Sequence, residues 1–328
     1  MKMKRIKSTF NLAFALLVVL SGASHQSAFA QTYTITDLGS FYAQDISNNG
    51  QIVGEDYIDD GLSDSAVIYS NGVIQSIGTL GGQGSAFAEA INSAGQVVGS
   101  APLVGDTASH AFLYSGGVMK DLGTLGGLTS FATDVSDGGH VVGFSRISDY
   151  KSHAFLYSGG VMKDLGTLGG IHGSIAHGVN SFGQVVGWSS ARDNNERAFL
   201  YSNGVMQDLG ALSGGTGATA YSINDGGQIV GYSGTGNGIH AFLYSNGVMV
   251  DLGTLYQGLW SQAVDINNRG QIVGYSNTVN NSQAQIGFLY SDGVMRDIVL
   301  NFGLTPPLRH PRPPSSWCLS VCECRREF

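Results

Sequence analysis

The stretch HAFLYSGGVMKDLGTLGG, His110–Gly127, recurs letter for letter from His153 to Gly170. An identical copy 43 residues downstream marks the chain as an array of one unit, so the fold must be read as a repeat before any residue is interpreted singly. The HAFLY position recurs at Ser65, His110, His153, Arg197, His240 and Ile286, at intervals of 45, 43, 44, 43 and 46 residues. A second landmark, GQIVG or GQVVG, places glutamine at Gln51, Gln96, Gln184, Gln228 and Gln271, with His140 standing in the third unit. A third, DLG, begins at Asp37, Asp121, Asp164, Asp208 and Asp251, with degenerate copies at Ser76 and Asp297. A residue type that recurs in every unit is explained more economically by architecture than by chemistry.

Each unit resolves into four strands. The apolar runs FLY and VMxDL are separated by Asn71-Gly72, Gly116-Gly117, Gly159-Gly160, Asn203-Gly204, Asn246-Gly247 or Asp292-Gly293. Such dipeptides tolerate positive φ at both positions, as a two-residue type I′ hairpin turn requires. A second turn, ending in Gly50, Gly95, Gly139, Gly183, Gly227 or Gly270, has glycine where a type I turn plus bulge needs it. Along HAFLY, Ala111 and Leu113 point one way while Phe112 and Tyr114 point the other, so both faces of the sheet are buried. An all-β fold of six four-stranded blades, a β-propeller, fits six copies of such a unit. The alternative is a seven-bladed ring cut short. Closure is expected through Tyr33–Leu38 joining the final FLY strand, Phe288–Tyr290, which would leave Val294–Ile298 surplus.

Together, HAFLYSxGVMxDLGTLGG and INxxGQVVG resemble the HAF repeat of extracellular bacterial proteins, over nearly everything from Tyr33 to Asp297. Histidine is replaced at Ser65, Arg197 and Ile286. The resemblance implies export and a repeat fold, and it supplies no catalytic residue.

The ends differ from the body. Lys2, Lys4, Arg5 and Lys7 precede an apolar run from Leu12 to Leu20 and then Ala28-Phe29-Ala30, the pattern of a secretory signal peptide cleaved near Ala30. The apolar run is too short to span a bilayer, so a secreted or periplasmic protein without a membrane span is expected. All three cysteines (Cys318, Cys322, Cys324) fall in the last eleven residues, so the body at 31–304 must be held by packing rather than disulfides. The tail at 305–328, with five of the six prolines, reads as disordered. Its PRPPSSW string, Pro311–Trp317, resembles the proline-rich opening of a PEP-CTERM sorting signal, although the hydrophobic helix that should follow is missing. A reading-frame change near Leu304 would produce such a tail.

The whole chain carries a net charge of −8, and the body holds 22 acidic against 8 basic side chains. Such a surface repels phosphate backbones and anionic headgroups, which argues against nucleic acid as a partner.

Most candidate chemistry reads as architecture. His110, His153 and His240 share one position and could ring a metal, but the other units lack histidine there. A hydrogen bond to a neighbouring unit is the simpler role. His140, His172 and His177 are irregular, and Gly169–Gly178 is the best irregular polar patch. The DLG aspartates are expected to cap turns rather than bind a cation. GTLGG and Gly214–Gly217 lack the lysine and helix of a P-loop. The aromatic residues Phe144, Trp188, Tyr232 and Tyr275 are flanked by Gly and Ser but lack the closing glycine of a nucleophile elbow. They are expected to pack between blades, with sugar stacking as the alternative. Asp56, Asp59, Asp60 and Asp64, beside Glu55, read as a solvated acidic loop without EF-hand spacing.

No catalytic set, metal site or cofactor motif stands out, so the sequence points to a monomeric exported binding module for a glycan or a protein. An extracellular glycan-acting hydrolase or lyase is the runner-up. Recognition is placed on the segments between the GQVVG strand and the next HAF strand, because their sequences diverge on a constant scaffold. The candidates are Asp59, Asp60, Asp106, Asp149, Asp193, Asn194 and Asn237, with Trp188 at the root of one segment.

Overall fold

A computed structural model describes residues 41–57, 64–105, 108–148, 151–278 and 281–298, the side chains of 281–284 excepted. The signal-like segment, the strand expected at Tyr33–Leu38 and the tail lie outside them. The first blade comprises β1 (Phe41–Ile46), β2 (Ile52–Tyr57), β3 (Asp64–Ser70) and β4 (Val73–Ser76). In the second are β5 (Phe87–Ile91), β6 (Val97–Pro102), β7 (Ser109–Ser115) and β8 (Val118–Asp121). The third holds β9 (Ser130–Val135), β10 (Val141–Ser148), β11 (Lys151–Ser158) and β12 (Val161–Asp164). Next come β13 (Gly169–Val179), β14 (Val185–Ala191), β15 (Glu196–Ser202) and β16 (Val205–Asp208) in the fourth. The fifth has β17 (Ala218–Ile223), β18 (Ile229–Gly234), β19 (Ile239–Ser245) and β20 (Val248–Gly253). The sixth has β21 (Ser261–Ile266), β22 (Ile272–Thr278), β23 (Asn281–Ser291) and β24 (Val294–Asp297).

Every sheet is an antiparallel meander of four consecutive strands. A central void is lined by the innermost strands of all six, through Asp45, Ala90, Asp134, His177, Tyr221 and Asp265, so the sheets form a ring. The protein is a six-bladed β-propeller.

The turns obey the local chemistry. Both central residues of each outer hairpin, Asn71-Gly72 through Asp292-Gly293, have φ between 51° and 88°. The glycines closing the inner hairpins, Gly50 to Gly270, have φ of 74–78°. There, asparagine supplies the cap: Asn92 Oδ1 accepts from the N–H of Ala94 and of Gln96, each at 3.0 Å.

Packing explains the Ala-Phe pair in HAF. Opposite faces of a strand meet opposite neighbours, so Phe155 packs into the core shared with the second blade, where Ala111 lies, while Ala154 shares a core with Phe199 of the fourth. The same pairing joins Ala66 to Phe112, Ala198 to Phe242 and Ala241 to Phe288. The first blade presents a smaller cluster, Phe41, Ile52 and Val67, in which the position of the buried phenylalanine is held by Val67.

The last glycine of GQVVG has a separate reason. Each innermost strand bulges at one station, inserting Gln44, Glu89, Thr133, His177, Tyr221 or Val264. The bulge drives a carbonyl of the inner strand against the second strand, so a Cβ at Gly143 would collide with Phe131 O, and one at Gly187 with Ile175 O.

Closure differs from the sequence expectation. Phe288–Tyr290 in β23 has both edges occupied, by β22 and by β24, so no N-terminal strand can join it. The segment Val294–Ile298, read as surplus, supplies β24, Val294–Asp297, the outer strand of the sixth blade. Each blade is therefore one contiguous segment that begins after DLGTLGG rather than at HAF.

Truncation of a buried Phe leaves a cavity that its neighbours cannot fill. Phe155→Ala is expected to cost about 3–5 kcal/mol, and Val67→Ala, in the smaller first-blade cluster, less, as read from urea unfolding. Equal costs at the two sites would refute the interlocking account.

Candidate functional site

Because neighbouring strands run antiparallel, connections alternate between the two ends of the ring. The Asn-Gly-type hairpin turns and the inner turns share one end, the turn end. Segments after GQVVG and the DLGTLGG links between blades share the other, the loop end.

The repeated polar residues are consumed by architecture. His110 Nδ1 lies 2.9 Å from Asp121 Oδ1, His153 from Asp164 at 2.9 Å, and His240 from Asp251 at 2.8 Å. The partner is thus the DLG aspartate of the same blade, eleven residues on, rather than a neighbouring unit. That aspartate also accepts from the backbone N–H two residues ahead, at 2.7 Å for Gly123 and Gly166, as expected of a turn cap. Where Arg197 replaces histidine it pairs with Asp193 (2.6 Å) and approaches Asp208 (3.7 Å).

Among the sequence candidates, Asp59, Asp60, Asp106 and Asp149 lie outside the described residues. Asp193 and Asn194 build a self-capped turn at the loop end. Asp193 Oδ1 accepts from Asn195 N (3.1 Å), and Asn194 takes φ of 62°. Hydrogen bonds from Asn195, with the nearby Arg197, hold the Asp193 carboxyl below its ordinary range. Asn237 donates its N–H to Thr235 Oγ1 at 3.3 Å in the β18–β19 loop. Trp188 is half-buried on β14, opposite Ile175 and Ala198, on the face that carries Val186 into the core shared by the fourth and fifth blades. Asp56 and Asp64 sit on β2 and β3 beside the acidic loop, and burial raises the Asp64 carboxyl.

The Gly-aromatic-Ser rings find partners largely inside their own blades. Phe144 stacks on Phe131 directly across the sheet (centroids 5.0 Å), Tyr232 tilts against Tyr221 (5.8 Å), and Tyr275 stacks on Trp260 (5.2 Å). Tyr221 also meets His177 of the fourth blade at 5.0 Å. Burial pushes the Tyr221 hydroxyl well above the ordinary phenol range and raises that of Tyr275, with neighbouring tyrosines adding to the effect.

One link between blades escapes the repeat. GTLGG becomes GTLYQGLW, Gly253–Trp260. Its frame is unchanged, because Leu255 N donates to Ser276 Oγ at 2.9 Å as Leu125 N does to Ser145 Oγ at 2.8 Å. One residue is inserted, since Thr254 Oγ1 reaches Gly258 O where Thr124 Oγ1 reaches Gly127 O. Tyr256 (φ 51°) and Gln257 (φ 58°) take left-handed conformations, where the left-handed residue is Gly81, Gly126 or Gly169 directly after the same leucine in three links and Gly214, after Ser213, in the fourth. Tyr256 is 49% and Leu259 63% exposed. The sequence signal was the departure from GTLGG itself, which attention to shared residues passed over.

At the turn end, Asp225 joins three blades. Its carboxylate accepts from Ser181 N (2.9 Å) and from Asn268 Nδ2 (2.9 Å). Burial pushes that carboxyl up, but the bonds from Ser181 and Asn268 outweigh it and hold it below 3.8, despite repulsion from Asp137. A depressed carboxylate contributes stability above its unfolded pKa and loses it as pH falls through the folded value. The stability gap between the native protein and Asp225→Asn is therefore expected to be full at pH 7 and to shrink below about pH 4. A gap independent of pH in chemical denaturation would contradict this.

Among the described residues no group of three or more His, Cys, Asp or Glu side chains could hold a metal, and no helix is long and apolar enough to cross a membrane. No family model and no curated protein matches the chain. Solved structures do. The β-propeller domain of the Trilobed protease from Pyrococcus furiosus, with open velcro topology, is similar at TM-score 0.55 and 9% identity, covering 81% of this chain and 86% of that one. A puromycin-hydrolysing peptidase of Mycobacterium tuberculosis (TM-score 0.52, 11% identity, 79% of this chain) and the Pyrococcus horikoshii acylaminoacyl peptidase (0.51, 10%, 83%) are also similar. The likeness is one of fold. The chain spans 45% and 47% of those two peptidases' lengths.

Proposed function

We propose that the protein is an exported binding module whose propeller presents a glycan-binding corner at the loop end, between the fifth and sixth blades. The reading rests on the strained link at Leu255–Trp260. A non-glycine residue in the left-handed region costs roughly 1–2 kcal/mol, and sister links avoid that cost with glycine. Strain kept at one loop among equivalents marks a side chain wanted for what it presents. Tyr256 is half-exposed, and Trp260, at the end of the same link, stacks on Tyr275. Flat rings with a polar edge suit the C–H face and hydroxyls of a sugar. Export follows from the basic-then-apolar N-terminal segment and from the HAF-repeat resemblance.

Tyr256→Gly separates function from fold. Restoring glycine is expected to leave the melting temperature unchanged or higher, despite losing the bond from Tyr256 Oη to Asp297 at 3.3 Å, while glycan-array signal falls at least about tenfold, the effect of some 1.4 kcal/mol. Array binding that survives both Tyr256→Gly and Trp260→Ala would remove the corner from consideration. Polysaccharide turnover abolished by one carboxylate substitution would favour a glycan-acting enzyme instead.

A further inference from the structure

The opposite end of the axis holds a second site. Inner turns of five blades surround a cavity of about 330 Å³, within the size range of small-molecule pockets. Inward, this cup shares Ser222 and Asp265 with a smaller void of about 10 Å³. In the inner turns the residue before the left-handed glycine is itself Gly138 in the third blade and Gly226 in the fifth. At the same position the sixth blade carries Arg269, which lines the cup, and the fourth carries Phe182, 73% exposed beside the lining residue Ser181.

We propose that this cup binds a free monosaccharide or a polyol of similar size. The ligand class follows from the lining. Val179, Ile223 and Ile266 give an apolar surface for a C–H face, Asp225 gives fixed acceptors, and Arg269 gives donors at the rim. Vicinal hydroxyls, which donate and accept at adjacent carbons, match a lining that offers both an acceptor and a donor. The acceptor is preorganised: Asp225 is gripped by Ser181 N on one side and Asn268 Nδ2 on the other, so a ligand need not order it. Anionic ligands are disfavoured by Asp137, Asp225 and Asp265 around a single arginine. The site is independent of the Tyr256 corner, which lies at the other end of the ring.

Saturation-transfer NMR and calorimetry on the full chain, with a panel of neutral hexoses, pentoses and inositol, test it, with spermidine and glycine as separate arms. Ser181→Trp fills the cup while keeping the Ser181 backbone N–H on Asp225. Arg269→Met removes the rim donor without touching a bond between blades. At least one sugar or polyol is expected to bind, to be lost in Ser181→Trp, to weaken about tenfold or more in Arg269→Met, and to be unaffected by Tyr256→Gly. Absence of any sugar or polyol binding, retention in both cup variants, or binding of spermidine or glycine alone would overturn the proposal. Loss with Tyr256→Gly but not with the cup variants would do so too, while leaving the loop-end reading standing.

Discussion

The ring rests on a size complementarity between neighbouring blades: a phenylalanine on one sheet shares a core with the alanine of the sheet before it. Phe112, Phe155, Phe199, Phe242 and Phe288 are fully buried, as are Ala66, Ala111, Ala154, Ala198 and Ala241. A sheet with bulk on both faces would stand too far from its neighbours, and one with alanine on both would leave voids. Alternating the two along a single strand lets identical units stack with the same offset, which is what a closed ring of repeats needs. With no disulfide in the body, this packing carries most of the burden.

Polar bonds between blades gather around the axis. Asp45 accepts from Ile91 N at 2.8 Å, Asp134 from Val179 N at 2.9 Å, and Ser222 donates to Asp265 Oδ1 at 2.6 Å, each joining one blade to the next. At the turn end, Asn92 donates to Ser136 O and Asn180 to Asn224 O. The bulge on each inner strand re-aims its extra side chain, and the glycine facing it makes room for the displaced carbonyl. Six repeats thus share one skeleton while the residues at the bulge and at the tips vary, so chemistry can differ from blade to blade without disturbing the stack.

Part of the candidate site was legible beforehand. Trp188 and the other Gly-aromatic-Ser residues were recognisable as a set, but which ring each would stack on depends on the partner strand. Asp193 and Asn194 were singled out by loop divergence, yet Arg197 and Asn195 occupy Asp193, and the turn spends itself on its own geometry. Tyr256 and Trp260 carried a signal as breaks in a repeat; their left-handed backbone and stacking became visible only with coordinates. The axial cup left no trace in any single unit, because its lining is drawn from five blades, most of it from the fifth and sixth.

The sequence by itself determined the strands, both kinds of turn and the number six. These are local matters: a Gly or Asn at a fixed offset sets the turn, period-two apolar residues set the strand, and counting copies sets the blades. Tertiary structure alone decided where one blade ends and the next begins, since a cyclic pattern has no natural starting point and any cut preserves the same local preferences. The cut after DLGTLGG makes the GQVVG strand the second and the HAF strand the third of each sheet, and seats Val294–Asp297 as an outer strand. Those outcomes depend on which edges meet around a closed ring, a condition that no forty-three-residue unit contains.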